Sequence, residues 1–461
     1  MPRPPRFLAV LALGLAGAAW GQQPGLMAAP RTLKRRVDSV LIKGAVLGQR
    51  ILGTPKHLVR VYACKGGIML PITFQLDERT QAGGYCYDQG PAALRVQDED
   101  KGKVDANDEL LVLAREVGDR AAPAALRLVP GHAAVQEVEL SDPLDGTKAW
   151  IYVYRFAPGP AVPPPVTTDL VSLTVQPRED AEEAVCTYRG EGFTFTNSRT
   201  PNNQVRATSA SFKRADGTMS PSPIDCSFMR GVATFMWVEV VRHSSDSKVQ
   251  LGGWIDGPIR VVAQSLLKVY LALGFWATTP DSYYILWPNK VTMPTNADCP
   301  VNLDQSGDSS YTLCWDMARA TQGWKFYNSH NKDPVDIDGS MSAAEKALDL
   351  TWPDWNCVYG PEGAMISKFV IPSSMQRPTN RLFYVDDREQ GEDEVEEGLQ
   401  FEAGMFGTNG YRIDLRGMRS GTYPGDYVTW YLPAGFKHGD HVKYLNEYDH
   451  PIKAATGTLG Q

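Results

Sequence analysis

The sequence predicts a mostly β protein built from antiparallel β-sandwich domains. Three observations predict it. Apolar residues alternate with a period of two in many short stretches, 42 glycines and 33 prolines punctuate them, and helix signals are few. No GxGxxG, no phosphate-binding loop and no alternating strand–helix rhythm occurs, so the doubly wound nucleotide-binding folds find no support.

The chain opens on a signal-peptide pattern over residues 1–21. Arg3 and Arg6 precede the apolar run "FLAVLALGLAGAA", and Ala19-Trp20-Gly21 offers small residues before Gln22. That run is too short to span a bilayer. The greasiest later stretch, 259–276, is broken by Arg260, Gln264, Ser265 and Lys268. A secreted or periplasmic protein with no transmembrane segment is expected.

Two units follow from length and from one seam. An N-terminal β domain is expected over 30–157, a Pro-rich linker over 158–168 and a C-terminal β-sandwich domain over 169–461. The seam "APGPAVPPPVTT" (157–168) holds five prolines and cannot lie inside a sheet. In the front unit, "HLVRVYA" (57–63) alternates and "KAWIYVYRF" (148–156) is rich in aromatic and β-branched residues. In the back unit, "GVATFMWVEVVRH" (231–243) reads as one central strand, apolar on both faces. "SLLKVYLALGF" (265–275) puts Leu267, Val269, Leu271, Leu273 and Phe275 on one face. "SMSAAEKALDL" (340–350) is the clearest helix signal, with Ser340 or Ser342 as its cap.

Removing Arg3 and Arg6 with the signal takes the formal charge from −7 to −9. Such a chain is not built to neutralise phosphates, so no nucleic-acid partner is expected. The seven cysteines form no CxxC pair, which removes zinc-ribbon, thioredoxin-type and c-haem readings. In an oxidising compartment they predict disulfides, with Cys64/Cys86, Cys186/Cys226 and Cys299/Cys314 as the neighbouring pairs and Cys357 left over.

The stretch "DEDKGKVDANDEL" (98–110) crowds acidic side chains into one loop. Asp98, Asp100, Asp105, Asn107, Asp108 and Glu109 offer oxygens suited to calcium, and Gly102 allows a sharp turn among them. An EF-hand is excluded, because Gly102 comes one position early. Lys101 and Lys103 offset part of the charge, so a solvated turn is the competing reading. "PITFQLDER" (71–79) followed by "DANDELLVLAREVGDR" (105–120) resembles the front part of uncharacterised secreted bacterial proteins of the galactose-mutarotase-like supersandwich type. Fainter echoes are "DGPIRVV" (256–262) and "WNCVYGPEGAMIS" (355–367). The resemblance implies a supersandwich for the larger C-terminal domain and carries over no catalytic residue.

Three further features compete for a role. His438, His441 and His450 lie beside Asp440 and Asp449, a pattern open to surface, metal or acid–base use. The acidic run "DDREQGEDEVEEG" (386–398) reads as a solvated loop. Trp276, Tyr283, Tyr284 and Trp287 read as core, with sugar stacking as the sharper alternative. No GxSxG elbow and no HExxH occurs. The leading expectation is an exported, non-catalytic β-sandwich protein that binds an extracellular glycan or envelope protein, with calcium as a stabilising ion. The alternatives are a polysaccharide lyase or hydrolase, with no assignable catalytic residues, and an accessory component of a cell-surface assembly.

Overall fold

The computed structural model describes residues 24–458, apart from 93–94, 161, 167, 178–183, 200–204, 273–274, 280–281, 322 and 390–403. The signal segment, residues 390–398 of the second acidic run and the side chain of Trp276 therefore lie outside the described residues. Strands make up 50% of the described residues and helix 9%. Every strand pair among the described residues is antiparallel. No helix among them is long and apolar enough to cross a membrane.

The back of the molecule is a sandwich of large sheets. One layer is a ten-stranded sheet whose centre is formed by Lys290–Cys299, Gly421–Pro433 and Gly363–Val370. Facing it are a four-stranded sheet (Ser172–Pro177 to Val205–Phe212) and a five-stranded sheet. The latter runs Val238–His243, Ile224–Phe235, Ser310–Met317, Met405–Asp414 and Arg381–Asp387. All three contribute to one core, in which Phe195, Trp315, Tyr411 and Tyr431 are buried. The two smaller sheets meet through hydroxyls rather than a ladder. Pro221 and Pro223 have no N–H to donate, and Ser220, Ser222 and Ser227 accept from the backbone of Phe212, Ala210 and Ala207 at 2.9–3.0 Å.

The front unit is a second, smaller sandwich. Its outer sheet runs Lys453–Thr456, His132–Ser141, Lys148–Phe156, Val59–Lys65 and Ile68–Pro71, so a C-terminal strand completes an N-terminal sheet. Its inner sheet runs Ser39–Lys43, Glu109–Leu113 and Phe74–Asp77. The central inner strand, Glu109–Leu113, is buried on both faces, and the period of two decides what each face meets. Leu110 and Val112 pack into the front core, while Leu111 and Leu113 pack into the back core. On the neighbouring strand Phe74 and Leu76 face the front core, leaving Gln75 and Asp77 on the other side.

There the two units are joined. The Arg260 side chain is 1% exposed and bridges Asp77 and Glu109, the latter at 2.7 Å. Gln75 accepts from the backbone of Ile259 and Arg260 at 2.9 and 2.8 Å and donates to Arg260 O at 2.9 Å and Asp77 Oδ1 at 2.8 Å. A Cβ on Gly257 would lie 2.3 Å from the Gln75 amide, so only glycine permits this approach. Burial alone would lower the Arg260 pKa, but Asp77, Tyr85 and Glu109 raise it and keep the guanidinium charged. Burial likewise opposes ionisation of Glu109, and Arg260, Arg79 and Lys43 together outweigh it and hold the carboxyl below its ordinary value.

Three expectations need correction. The stretch 231–243 is not one strand: it turns back at Met236 and Trp237, whose φ values of 49° and 63° make a tight hairpin between Ile224–Phe235 and Val238–His243. The apolar run hid the turn because no glycine or asparagine marks it. The expected disulfides are not formed, and all seven cysteines are thiols. Each expected pair is split between regions. Cys64 packs under Tyr152 while Cys86 lies beside the acidic loop. Cys186 is in the back core, and Cys226 is on another face with Cys314, away from Cys299, whose thiol donates to Val301 O. A helix over His441–Asp449 is assigned by no sequence signal. The helix expected over 340–350 shrinks to Ala343–Lys346, capped by Ser342 and Glu345 in a reciprocal box.

The junction makes a direct prediction. Arg260→Leu leaves Asp77 and Glu109 buried together without their counter-ion, and should cost about 3–5 kcal/mol. Urea unfolding of the variant and the parent measures this; an unchanged midpoint would remove the clamp from its central role.

Candidate functional site

The acidic loop divides its six expected ligands into two groups. Asp98, Asp100 and Asp105 converge, with carboxylate oxygens all within 4.8 Å of one another. Burial first, then the neighbouring Glu99 and Asp100, pushes the Asp98 carboxyl up to about 7. The other three are engaged elsewhere. Asp108 accepts from the backbone of Arg79 and Asp105, both at 3.0 Å, and burial pushes its carboxyl up to about 6. Asn107 donates to Arg79 O at 2.8 Å, and Asp105 Oδ1 accepts from Asn107 N and Asp108 N. Glu109 belongs to the Arg260 junction and also pairs with Lys43 at 2.6 Å. Gly102, at φ 82°, makes the turn and donates its N–H to Glu78. One half of the stretch is a hydrogen-bonded turn and the other a carboxylate cluster.

A cleft that the sequence reading did not single out opens on the five-stranded sheet, with a volume of about 570 Å³. Strand register brings two arginines face to face, since Arg381 pairs directly with Arg412 across neighbouring strands. Like charges directly opposite are destabilising. Asp308 pairs with Arg412 at 3.3 Å, whereas the exposed Arg381 side chain has no counter-ion among the described residues. Asp414 is gripped by Arg416 at 3.0 Å and by Thr379. Burial works against ionisation of Asp414, but Arg416 and Thr379 hold it far below the usual carboxylate range. No histidine lines the cleft. The walls thus present paired donors and acceptors, Arg412 on Asp308 and Arg416 on Asp414. The only advance signal was the spacing of Arg381 and Arg412, which means nothing until register is known.

The described aromatic and histidine residues of these stretches are engaged in packing and hydrogen bonds. Tyr283 packs edge-on to Tyr85 at 5.4 Å, and its neighbour Tyr284 stacks on Tyr188 from the opposite side of the strand. Trp287 lies 5.3 Å from both Arg260 and Lys290, roofing the junction. His441 stacks on Trp355 at 4.2 Å and its Nδ1 meets the Tyr327 hydroxyl at 3.0 Å. His438 meets Lys332 O at 2.9 Å, and His450 caps the far end of the helix, where its carbonyl accepts from Arg35. The first acid of the second acidic run is not solvated either: Asp386 is fully buried and accepts from Asp338 N, Gly339 N and Gly407 N.

Fold and cleft together define a β-sandwich protein with an open, charged groove. No protein-family model matches the chain, and no curated protein matches it. Among solved structures it is similar to an alpha-mannosidase from Enterococcus faecalis V583, at 10% identity and a TM-score of 0.45. That similarity covers 94% of this chain and 46% of the other. A protein in the glycosyl hydrolase family 38 from Enterococcus faecalis gives 8% identity and a TM-score of 0.44, over 95% of this chain and 47% of the other. The chain therefore spans about half the length of these structures. At such scores neither family membership nor activity transfers to it.

His441 supplies a pH prediction. Its burial lowers its pKa, with His438 and Lys332 adding to the shift. The unfolded chain takes up this proton near pH 6.5, the folded chain only at lower pH. Between those values the unfolded state binds more protons, so stability falls as pH drops through that window. Asp98 and Asp108, whose carboxyls are raised, act in the opposite sense, so the His441 contribution is read as a difference. Between pH 7.5 and 5.5, urea melts should show the parent losing more stability, or gaining less, than His441→Gln. An identical pH response in the variant would remove His441 from the acid sensitivity.

Proposed function

We propose that this chain is an exported, non-catalytic β-sandwich protein whose cleft binds a glycan bearing carboxylate groups. The observation that carries the reading is the Arg381–Arg412 pair. Two guanidinium groups held opposite one another on a rigid sheet, one of them without a counter-ion among the described residues, match a bidentate carboxylate. Asp308 and Asp414 supply acceptors for sugar hydroxyls, and Leu348, Leu350 and Pro378 supply apolar wall for ring C–H groups. The volume falls in the range of small-ligand sites. Export rests on the pattern over 1–21.

The non-catalytic part rests on how the cleft acids are held: Asp308 is paired with Arg412 at 3.3 Å and Asp414 with Arg416 at 3.0 Å, which makes them fixed acceptors.

Calorimetry with uronate oligosaccharides and their neutral counterparts tests the reading. The acidic series should bind and the neutral series should bind far more weakly. Arg381→Ala should weaken binding about 10- to 100-fold, the worth of one or two charge-assisted bonds. Equal binding of both series would remove the arginine pair from recognition. Release of new reducing ends would replace the binding role with that of a polysaccharide-active enzyme.

A further inference from the structure

We propose that Asp98, Asp100 and Asp105 hold one divalent cation, and that calcium is the ion the donor set fits. The site is separate from the cleft and does not depend on the function assigned to it. Convergence of three acids is one observation, and an orphaned buried carboxylate is the second. Asp98 is 6% exposed; its Oδ1 accepts from Glu99 N at 2.8 Å, but its Oδ2 is buried without any hydrogen-bond partner. Asp100 Oδ1 is orphaned in the same way. A buried acceptor left unmade is costly, the more so when charged. Among the described residues no lysine or arginine forms an ion pair with any of the three acids. Lys101 and Lys103 are exposed, and Lys56 is spent on Glu78 at 3.2 Å.

Coordination preference selects the ion. Calcium takes oxygens at about 2.3–2.6 Å in flexible geometry, and three carboxylates within 4.8 Å of one another fit that reach. Magnesium demands near-ideal octahedral geometry and gives up its waters reluctantly, which suits a cluster of loop carboxylates less well. Three carboxylates leave room for carbonyl and water oxygens to complete six to eight ligands.

The position gives the ion a consequence. The loop that leaves the cluster is pinned by Gly102 on Glu78 and by Asn107 and Asp108 on the Arg79 backbone, and the next residue is Glu109, at the Arg260 junction. An ion that orders 98–105 therefore steadies the strand that joins the two units.

Calorimetry of the full chain, stripped with a chelator and titrated with calcium chloride, tests this. One site should appear, with magnesium at least about tenfold weaker. Calcium at a hundred times its Kd should raise the melting temperature by about 2–4 °C. Asp100→Asn should weaken calcium at least about tenfold and abolish the thermal shift, whereas Asp308→Asn in the cleft should leave both intact. The partly exposed position of Asp100 makes loss of folding avoidable, and a chelator-stripped melt matching the parent confirms it. Absence of binding heat together with identical melts in calcium and chelator would overturn the proposal. So would calcium binding that survives Asp100→Asn, or magnesium binding as tightly as calcium.

Discussion

The buried guanidinium of Arg260 is the constraint on which the rest of the molecule depends. A charge at that depth is tolerable only with well-placed partners, and its partners come from two strands of the front sheet. Asp77 and Glu109 must therefore project toward the back unit, which forces Phe74, Leu76, Leu110 and Val112 the other way. A slip of one residue in either strand would bury the acids in the front core and expel the leucines. The ion cluster and the apolar pattern specify the same register, and Gln75, hydrogen-bonded to the backbone at 259 and 260, leaves little freedom for another.

Much of this was legible before any coordinates. Period-two alternation identified "HLVRVYA" and aromatic and β-branched content identified "KAWIYVYRF" as strands, and the stretches around Asp77, Glu109 and Arg260 stood out as motifs. What remained hidden was that these motifs meet, because side chains far apart in sequence carry no local mark of contact. The hairpin at Met236 and Trp237 was hidden for another reason: its turn uses two bulky residues at positive φ, against the usual turn chemistry. The disulfide expectation came from compartment and neighbourhood in sequence, while strand topology sends neighbouring cysteines to different faces. The cleft depended wholly on register between Arg381 and Arg412.

Polar satisfaction at seams is a second theme. Where prolines interrupt the approach of the four- and five-stranded sheets, serine hydroxyls take the place of missing backbone partners. The junction does the same with a glutamine side chain. In both places the chain joins sheets without continuing a ladder, which keeps the sheets distinct while leaving few donors unmet.

The return of Lys453–Thr456 to His132–Ser141 has a bearing on the order in which the molecule can be made. The contact between Arg35 and His450 spans 415 residues. A ribosome or an export channel delivers the chain from its N-terminus, so the front sheet waits with one edge open while the whole back sandwich emerges. Closing so distant a loop is slow, and an exposed strand edge invites pairing with a stranger. The most vulnerable moment in the life of this protein is therefore not unfolding but the interval before its final strand arrives.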